Sequence, residues 1–185
     1  KTNRLKVLYQ GRVAAGHGIK ELASFISIQN NMEVEFHIIG SYDEIFKQEL
    51  REIIETYSSD DKVFMHNRLP HYHQLKDFTR NFDVGLGIME PLNIQLSTCA
   101  KASNKIYEYI SFGMPVILLD TDNFRNTLEN YQWAFFTDMS DTSFKHMFDN
   151  IAKHYTDASV SAFNDYRTIL NFESKFEQAL EKLNL

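Results

Sequence analysis

Short runs of apolar, β-branched or aromatic residues recur along the chain, each bounded by polar positions. About six have the length and composition of buried strands: Leu5–Gln10, Val34–Gly40, Lys62–His66, Asp83–Ile88, Pro115–Leu119 and Trp133–Thr137. Between them the apolar period changes. Ile19, Leu22, Ala23 and Ile26 fall at i, i+3, i+4 and i+7, one face of a helix, and Phe46, Leu50, Ile53, Ile54 and Tyr57 repeat the pattern. Leu75 and Phe78 anchor a shorter helix.

After the last strand the pattern is helical to the end. Phe144, Met147, Phe148, Ile151 and Tyr155 form one stripe, and Phe163, Tyr166 and Leu170 begin a second. Phe172, Phe176, Ala179, Leu180 and Leu183 make a third. Asp43, Asp141 and Ser159 stand where helix N-caps are expected. Strands alternating with helices predict βαβ units. The expected fold is therefore a Rossmann-like, three-layer α/β domain with a mostly parallel, doubly wound sheet of about six strands and C-terminal helices. No linker rich in Gly, Pro or Ser, no repeat and no low-complexity tract interrupts residues 1–185, so a single domain is expected.

Composition narrows the classes. Hydrophobic residues make up 43% of the chain and aromatics 14%, enough for a substantial core. The net charge of −6 and the lack of any basic block argue against a nucleic-acid partner, so an anionic ligand must be met by local charges and backbone amides. The single cysteine, Cys99, excludes an internal disulfide and a Cys-based zinc cluster, and fits a reducing cytosol. No apolar run approaches membrane-spanning length, no signal-peptide pattern opens the chain, and a cytoplasmic location is expected. The chain begins at Lys1 without an initiator Met, which suggests a piece of a longer protein.

In doubly wound sheets, ligands bind at the carboxyl ends of strands near the reversal of strand order, so the segments leaving each strand are the places to look for chemistry. After the first comes GRVAAGHGIKEL, in which Gly11 and Arg12 end the strand and Gly16 and Gly18 flank His17 before a helix. Glycines let backbone amides approach a ligand, a helix N-terminus favours an anion, and Arg12 would offer phosphate a bidentate charge. The stretch matches neither the G-x-G-x-x-G nor the G-x-x-x-x-G-K-[ST] loop, and a plain Gly-rich turn with an exposed Arg explains it equally well.

The stretch after the third strand is NRLPHYHQL. His66, His71 and His73 invite a metal reading, but no carboxylate or Cys has ligand spacing and i, i+2 side chains diverge on a helix. A turn set by Pro70 is expected there, with no metal.

After the fourth strand comes MEPLNIQLSTCAKASNKIYEYISFGMPVILLD. Helical geometry places Asn104 and Glu108 on one side, about 40° apart, and turns Ile106, Tyr109 and Ile110 toward the sheet. Ser103 and Asn104 occupy the helix N-terminus, where an anion is favoured. A carboxylate here fits a site in which Glu108 accepts from a neutral diol while Lys105 or backbone amides hold a phosphate. A solvated helix face with Glu108 in a salt bridge is the alternative.

Together these stretches resemble the C-terminal, donor-binding half of a GT-B fold glycosyltransferase of the retaining family 4 group. Gly11, Arg12, Val13 and Gly18 match that family's G-R-hydrophobic-x-x-x-K-G element. Asn104, Lys105, Ile106, Glu108, Tyr109, Ile110, Gly113, Pro115 and Val116 match its N-K-hydrophobic-x-E-Y/A-hydrophobic-x-x-G-x-P-V element without a gap. LPHYHQLKDFTRNFDVGLGIME is similar to the segment between them, and the resemblance spans about residues 5–137. Two positions depart from it. His17 replaces the usual Lys, exchanging a constant charge for one that titrates near neutrality. Ala100 stands where the family often has a second Glu, which contacts the donor sugar.

The resemblance implies roles residue by residue. Glu108 would accept from the ribose hydroxyls, and Arg12 with His17 would neutralise the diphosphate leaving group, assisted by Ser103, Asn104 and Lys105. Backbone near Arg68 and Leu69 would hold the base, and Gly11, Gly18 and Ile106 complete the expected binding set. Arg12, Lys105 and Glu108 are the expected catalytic residues. The donor would be a nucleoside-diphosphate sugar, with no metal and no other cofactor. The acceptor, a glycan or lipid, and any membrane association would belong to an N-terminal domain, so the chain alone would bind nucleotide weakly without turnover. A hexosyltransferase of surface polysaccharide or glycoconjugate synthesis is implied. A catalytically degenerate nucleotide-sugar-binding or interaction module, a GT-B nucleotide-sugar epimerase and a plain α/β regulatory domain are the competing readings.

Overall fold

In a computed structural model, which describes residues 4–29, 31–92 and 99–182, the apolar runs become six strands. They are β1 (Leu5–Val13), β2 (Val34–Tyr42), β3 (Val63–Asn67), β4 (Val84–Leu86), β5 (Val116–Leu119) and β6 (Ala134–Thr137). The helices between and after them are α1 (Ile19–Ile28), α2 (Glu44–Thr56), α3 (Tyr72–Thr79), α4 (Asn104–Ser111), α5 (Asp122–Leu128) and α6 (Asp141–Asp165). A π-helical turn (Tyr166–Leu170) then leads into α7 (Phe172–Lys182). All strands pair in parallel, in the order β3-β2-β1-β4-β5-β6. The chain starts at the centre, builds outward to β3, then returns to the other side of β1. The order therefore reverses between β1 and β4, which is where a ligand crevice forms in such sheets.

The strands have near-continuous apolar sequences because both faces are covered. Val7, Leu8, Phe36, Ile38, Val84, Leu86, Val116 and Ile117 are buried, with Leu22, Ile26, Ile106, Ile110, Phe144 and Ile151 from the helices in the same core. Gly85 carries no side chain because the Tyr109 ring lies across it: a Cβ there would stand 2.2 Å from Tyr109 Cδ2. That contact holds α4 down on β4. No helix among the described residues is long and apolar enough to cross a membrane.

Some boundaries differ from expectation. Gly11 and Arg12 lie inside β1, which runs to Val13 in register with β2 to Tyr42. Asp43 does cap α2, accepting from Phe46 N at 3.1 Å, but Ser140 rather than Asp141 caps α6. Ser159 caps nothing. It lies within α6, which is one helix of 25 residues because no Gly or Pro interrupts it. The third apolar stripe is not a buried one: Phe172 and Phe176 are 76% and 54% exposed, their rings stacked on each other. Leu183 lies outside the described residues.

Candidate functional site

The crevice arises because β1 outlasts β4. Their pairing covers only Val7↔Val84 and Leu8↔Gly85, so farther along β1 the N–H of Gln10 has no strand beside it. The Tyr109 hydroxyl takes its place, accepting from Gln10 N at 2.9 Å. The Gln10 side chain, in turn, reaches the residue beside Tyr109: Nε2 donates to Glu108 Oε2 at 2.6 Å. Two consecutive residues of α4 thus grip one residue of β1.

Glu108 is half-buried and its partners are neutral. Besides Gln10, the Tyr72 hydroxyl donates to Oε1 at 3.3 Å. Among the described residues it forms no ion pair, so the salt-bridged helix face is not what the structure shows. As expected from the helical spacing, Ile106, Tyr109 and Ile110 are fully buried while Asn104 is exposed.

Lys105, one turn earlier, sits differently. Its Nζ lies 3.9 Å from the centroid of the Tyr9 ring, and a Cβ on Gly11 would stand 3.5 Å from its Cε. Burial pushes its pKa down to about 7, although Cys99 and Glu108 pull the other way. The residue as a whole is half-buried rather than fully enclosed.

His17 also packs beside Tyr9, with ring centroids 5.7 Å apart. Its Nδ1 is buried without a hydrogen-bond partner among the described residues. The expectation that His17 titrates near neutrality is not met. Burial, then the positive charge of Lys105, hold its pKa down to about 4, so the ring is neutral at physiological pH. Gly18, the N-cap of α1, has φ of 65°, a left-handed conformation that favours glycine, and a Cβ there would stand 2.8 Å from Ile88. Arg12 is exposed, and its carbonyl accepts from the Tyr9 hydroxyl at 2.5 Å.

The remaining predicted residues divide. Arg68 and Leu69 line a cleft of about 500 Å³ with Gln10, Gly11, Gly40 and Tyr72, beside Glu108. Ser103 is the buried N-cap of α4 but makes no side-chain cap bond. Ile106 does not face the crevice. Its side chain is in the core and its N–H donates to Ser103 O at 3.1 Å, so neither is presented to a ligand. Ala100 is fully buried, and its N–H donates to Asn123 Oδ1.

The histidines behave unlike the helical expectation. His71 is the N-cap of α3 in extended conformation, so its ring does not diverge from that of His73 but stacks on it, centroids 5.5 Å apart. His66 belongs elsewhere, 2.9 Å from His37 and packed on Phe78. No cluster able to hold a metal occurs among the described residues.

Gln10, Thr79, Tyr72 and Tyr9 join the site although no motif in the sequence marks them. For Gln10 a signal existed: it is a lone amide directly after the apolar run Val7–Tyr9 within β1, and it is 5% exposed. Buried polar groups need partners.

No protein-family model matches the sequence, and no curated protein matches it. Solved structures do match in fold. The C-terminal domain of LpcC, a glycosyl transferase group 1 family protein from Francisella tularensis, superposes with a TM-score of 0.66 at 12% identity, covering 87% of this chain and 83% of that one. HepE of Anabaena, solved in complex with UDP and glucose, gives 0.74 at 14% identity over 98% of this chain and 48% of that one. Sucrose-phosphate synthase from Thermosynechococcus elongatus gives 0.70 at 16% identity over 99% and 46%. This chain spans about half the length of the latter two. The likeness is one of fold: six parallel strands with flanking helices, the architecture of the C-terminal half of GT-B glycosyltransferases.

Proposed function

We propose that this chain is the donor-binding half of a glycosyltransferase that uses a nucleoside-diphosphate sugar. The observation that carries the reading is the pairing on α4, at the reversal of strand order. There a carboxylate held by neutral donors, Glu108, stands one turn from a desolvated ammonium, Lys105. A carboxylate only accepts, so it suits hydroxyls; a cation kept from water suits an oxyanion. Spaced along one helix, they suit the ribose and diphosphate of a single nucleotide.

In this reading Glu108 accepts from the ribose hydroxyls, and the base enters the cleft beside Arg68 and Leu69. Arg12, Lys105 and the first-turn amides of Asn104 and Lys105 take the diphosphate. Stabilising that group as it departs is the main electrostatic task of sugar transfer, and these cations and amides address it directly. His17 contributes as a neutral ring rather than as a charge. The family 4, retaining subtype is part of the proposal, as are a hexose donor, an acceptor glycan or lipid bound by a companion domain, a role in surface polysaccharide or glycoconjugate synthesis, and a cytoplasmic location. A second reading, a module that binds nucleotide sugars without transferring them, is favoured by the buried Ala100 and the neutral His17.

Thermal melting of the chain with UDP, GDP or ADP tests both. One of the three at a hundred times its Kd raises stability by about 2.7 kcal/mol. For a chain of this size that is a rise in Tm of roughly 5–10 °C. No shift with any of them sinks both readings. Transfer to acceptor by a two-domain protein carrying this half separates them.

A further inference from the structure

We infer that Gln10 and Thr79 are positioning residues that aim Glu108 at a ribose. The inference rests on the donor-site reading. The geometry is a chain of polar groups through an otherwise apolar layer. Thr79, 1% exposed near the end of α3, has its hydroxyl 3.0 Å from Gln10 Oε1 and 2.8 Å from Leu75 O, so its one proton is shared between them. Gln10 Nε2 then donates to Glu108 Oε2.

The orientation of the amide follows by elimination. A carboxylate cannot donate, so the Gln10 face toward Glu108 must be the NH₂ group. The amide oxygen is then turned to Thr79, which supplies its donor. The Gln10 backbone is pinned separately by the Tyr109 hydroxyl. Neither end of Gln10 is free to move, and Glu108 Oε2 is fixed relative to β1 and α3 as well as to its own helix.

A buried amide and a buried hydroxyl are an expensive way to join α3 to the sheet, because an apolar pair would cost no desolvation. What the polar pair adds is a fixed donor on one carboxylate oxygen. With one lone pair of Oε2 occupied, the remaining lone pairs have a single orientation in the crevice, and both Glu108 oxygens keep acceptor capacity for a diol.

The test measures affinity of the 185-residue chain for UDP, ADP and GDP and for their 2′-deoxy counterparts by calorimetry. Wild type is expected to prefer the ribose form of the nucleotide it binds by roughly tenfold, the value of one hydrogen bond to a charged group. Thr79→Val, close in shape but without the donor, and Gln10→Met, apolar and of similar length, should each cut that preference to about threefold or less. Thr79→Ser should restore it. A purely structural role would change Tm but leave the ribose-to-deoxyribose ratio intact. Wild-type ratios in both Thr79→Val and Gln10→Met would overturn the inference while leaving the donor site standing. Failure of the wild-type chain to bind any of the ribonucleotides would overturn the donor reading and this inference with it.

Discussion

Lys105 and Glu108 lie three residues apart on the same helix, yet the fold provides for them in opposite ways. Glu108 is given neutral hydrogen-bond donors on both oxygens. Lys105 is given the face of Tyr9 and, among the described residues, neither a hydrogen bond nor an ion pair. Positive charge at this corner already acts on its surroundings: after burial, Lys105 and then Arg12 help to hold the nearby His17 ring neutral. The carboxylate corner is satisfied and fixed before any ligand arrives. The cationic corner is desolvated and unpaired, a state that an entering anion relieves. The two corners therefore predict different responses to mutation and pH.

The cationic corner should show the larger effect. Lys105→Met is expected to weaken UDP, or whichever diphosphate the chain binds, by about a hundredfold at pH 6.5, and pyrophosphate to the same degree. In the wild type, the ligand-free ammonium loses its proton near pH 7, whereas a bound diphosphate restores it. Affinity then falls as pH rises above about 7, by at most tenfold per unit, and binding takes up a proton. Calorimetry in buffers of different ionisation enthalpy reads that proton directly. The sign for folding is separate. The folded pKa lies below the ordinary lysine value of 10.5, so the ligand-free chain gains stability as pH rises from about 7 toward 10.5. Lys105→Met should remove both dependences. A flat affinity profile in the wild type would break the contrast between the corners.

Glu108→Ala comes next and should be selective. We expect a loss of roughly tenfold to thirtyfold for nucleoside diphosphates and little change for pyrophosphate, because only the ribose uses the carboxylate. Equal loss of both would mean that Glu108 acts through the shape of α4, and the ribose role would fall.

Much of this contrast is legible in the sequence. The run from Asn104 to Gly113 gives the buried face of α4, its polar edge and its end from spacing alone, and the alternation of apolar runs gives the sheet. The electrostatic state of the site is not legible. The spacing places Lys105 near a phosphate site but cannot show that Tyr9 shields it. Likewise the His17 motif suggests a titrating charge, whereas its packing makes a neutral ring. Gln10 and Thr79 are 69 residues apart, and only the reversal of strand order brings α3 over the end of β1. Ser159 misleads for a local reason: serine caps helices but is also tolerated inside a long one when no Gly or Pro stops it.

The smallest expected effect concerns the outer partner of Glu108. Tyr72 is 57% exposed, and its hydroxyl reaches Oε1 only at 3.3 Å, with Lys76 lying 5.0 Å from the centre of its ring. Unlike Gln10, it is not buried. A ribose hydroxyl arriving at Oε1 competes with this one bond, and a solvated tyrosine gives it up at small cost. Tyr72→Phe keeps the ring beneath Lys76 and removes only the competitor. Affinity for the nucleoside diphosphate should therefore rise by about threefold, with pyrophosphate unaffected. A fall of similar size would assign Tyr72 to the ligand instead, and the outer side of Glu108 would then be held as firmly as the inner one.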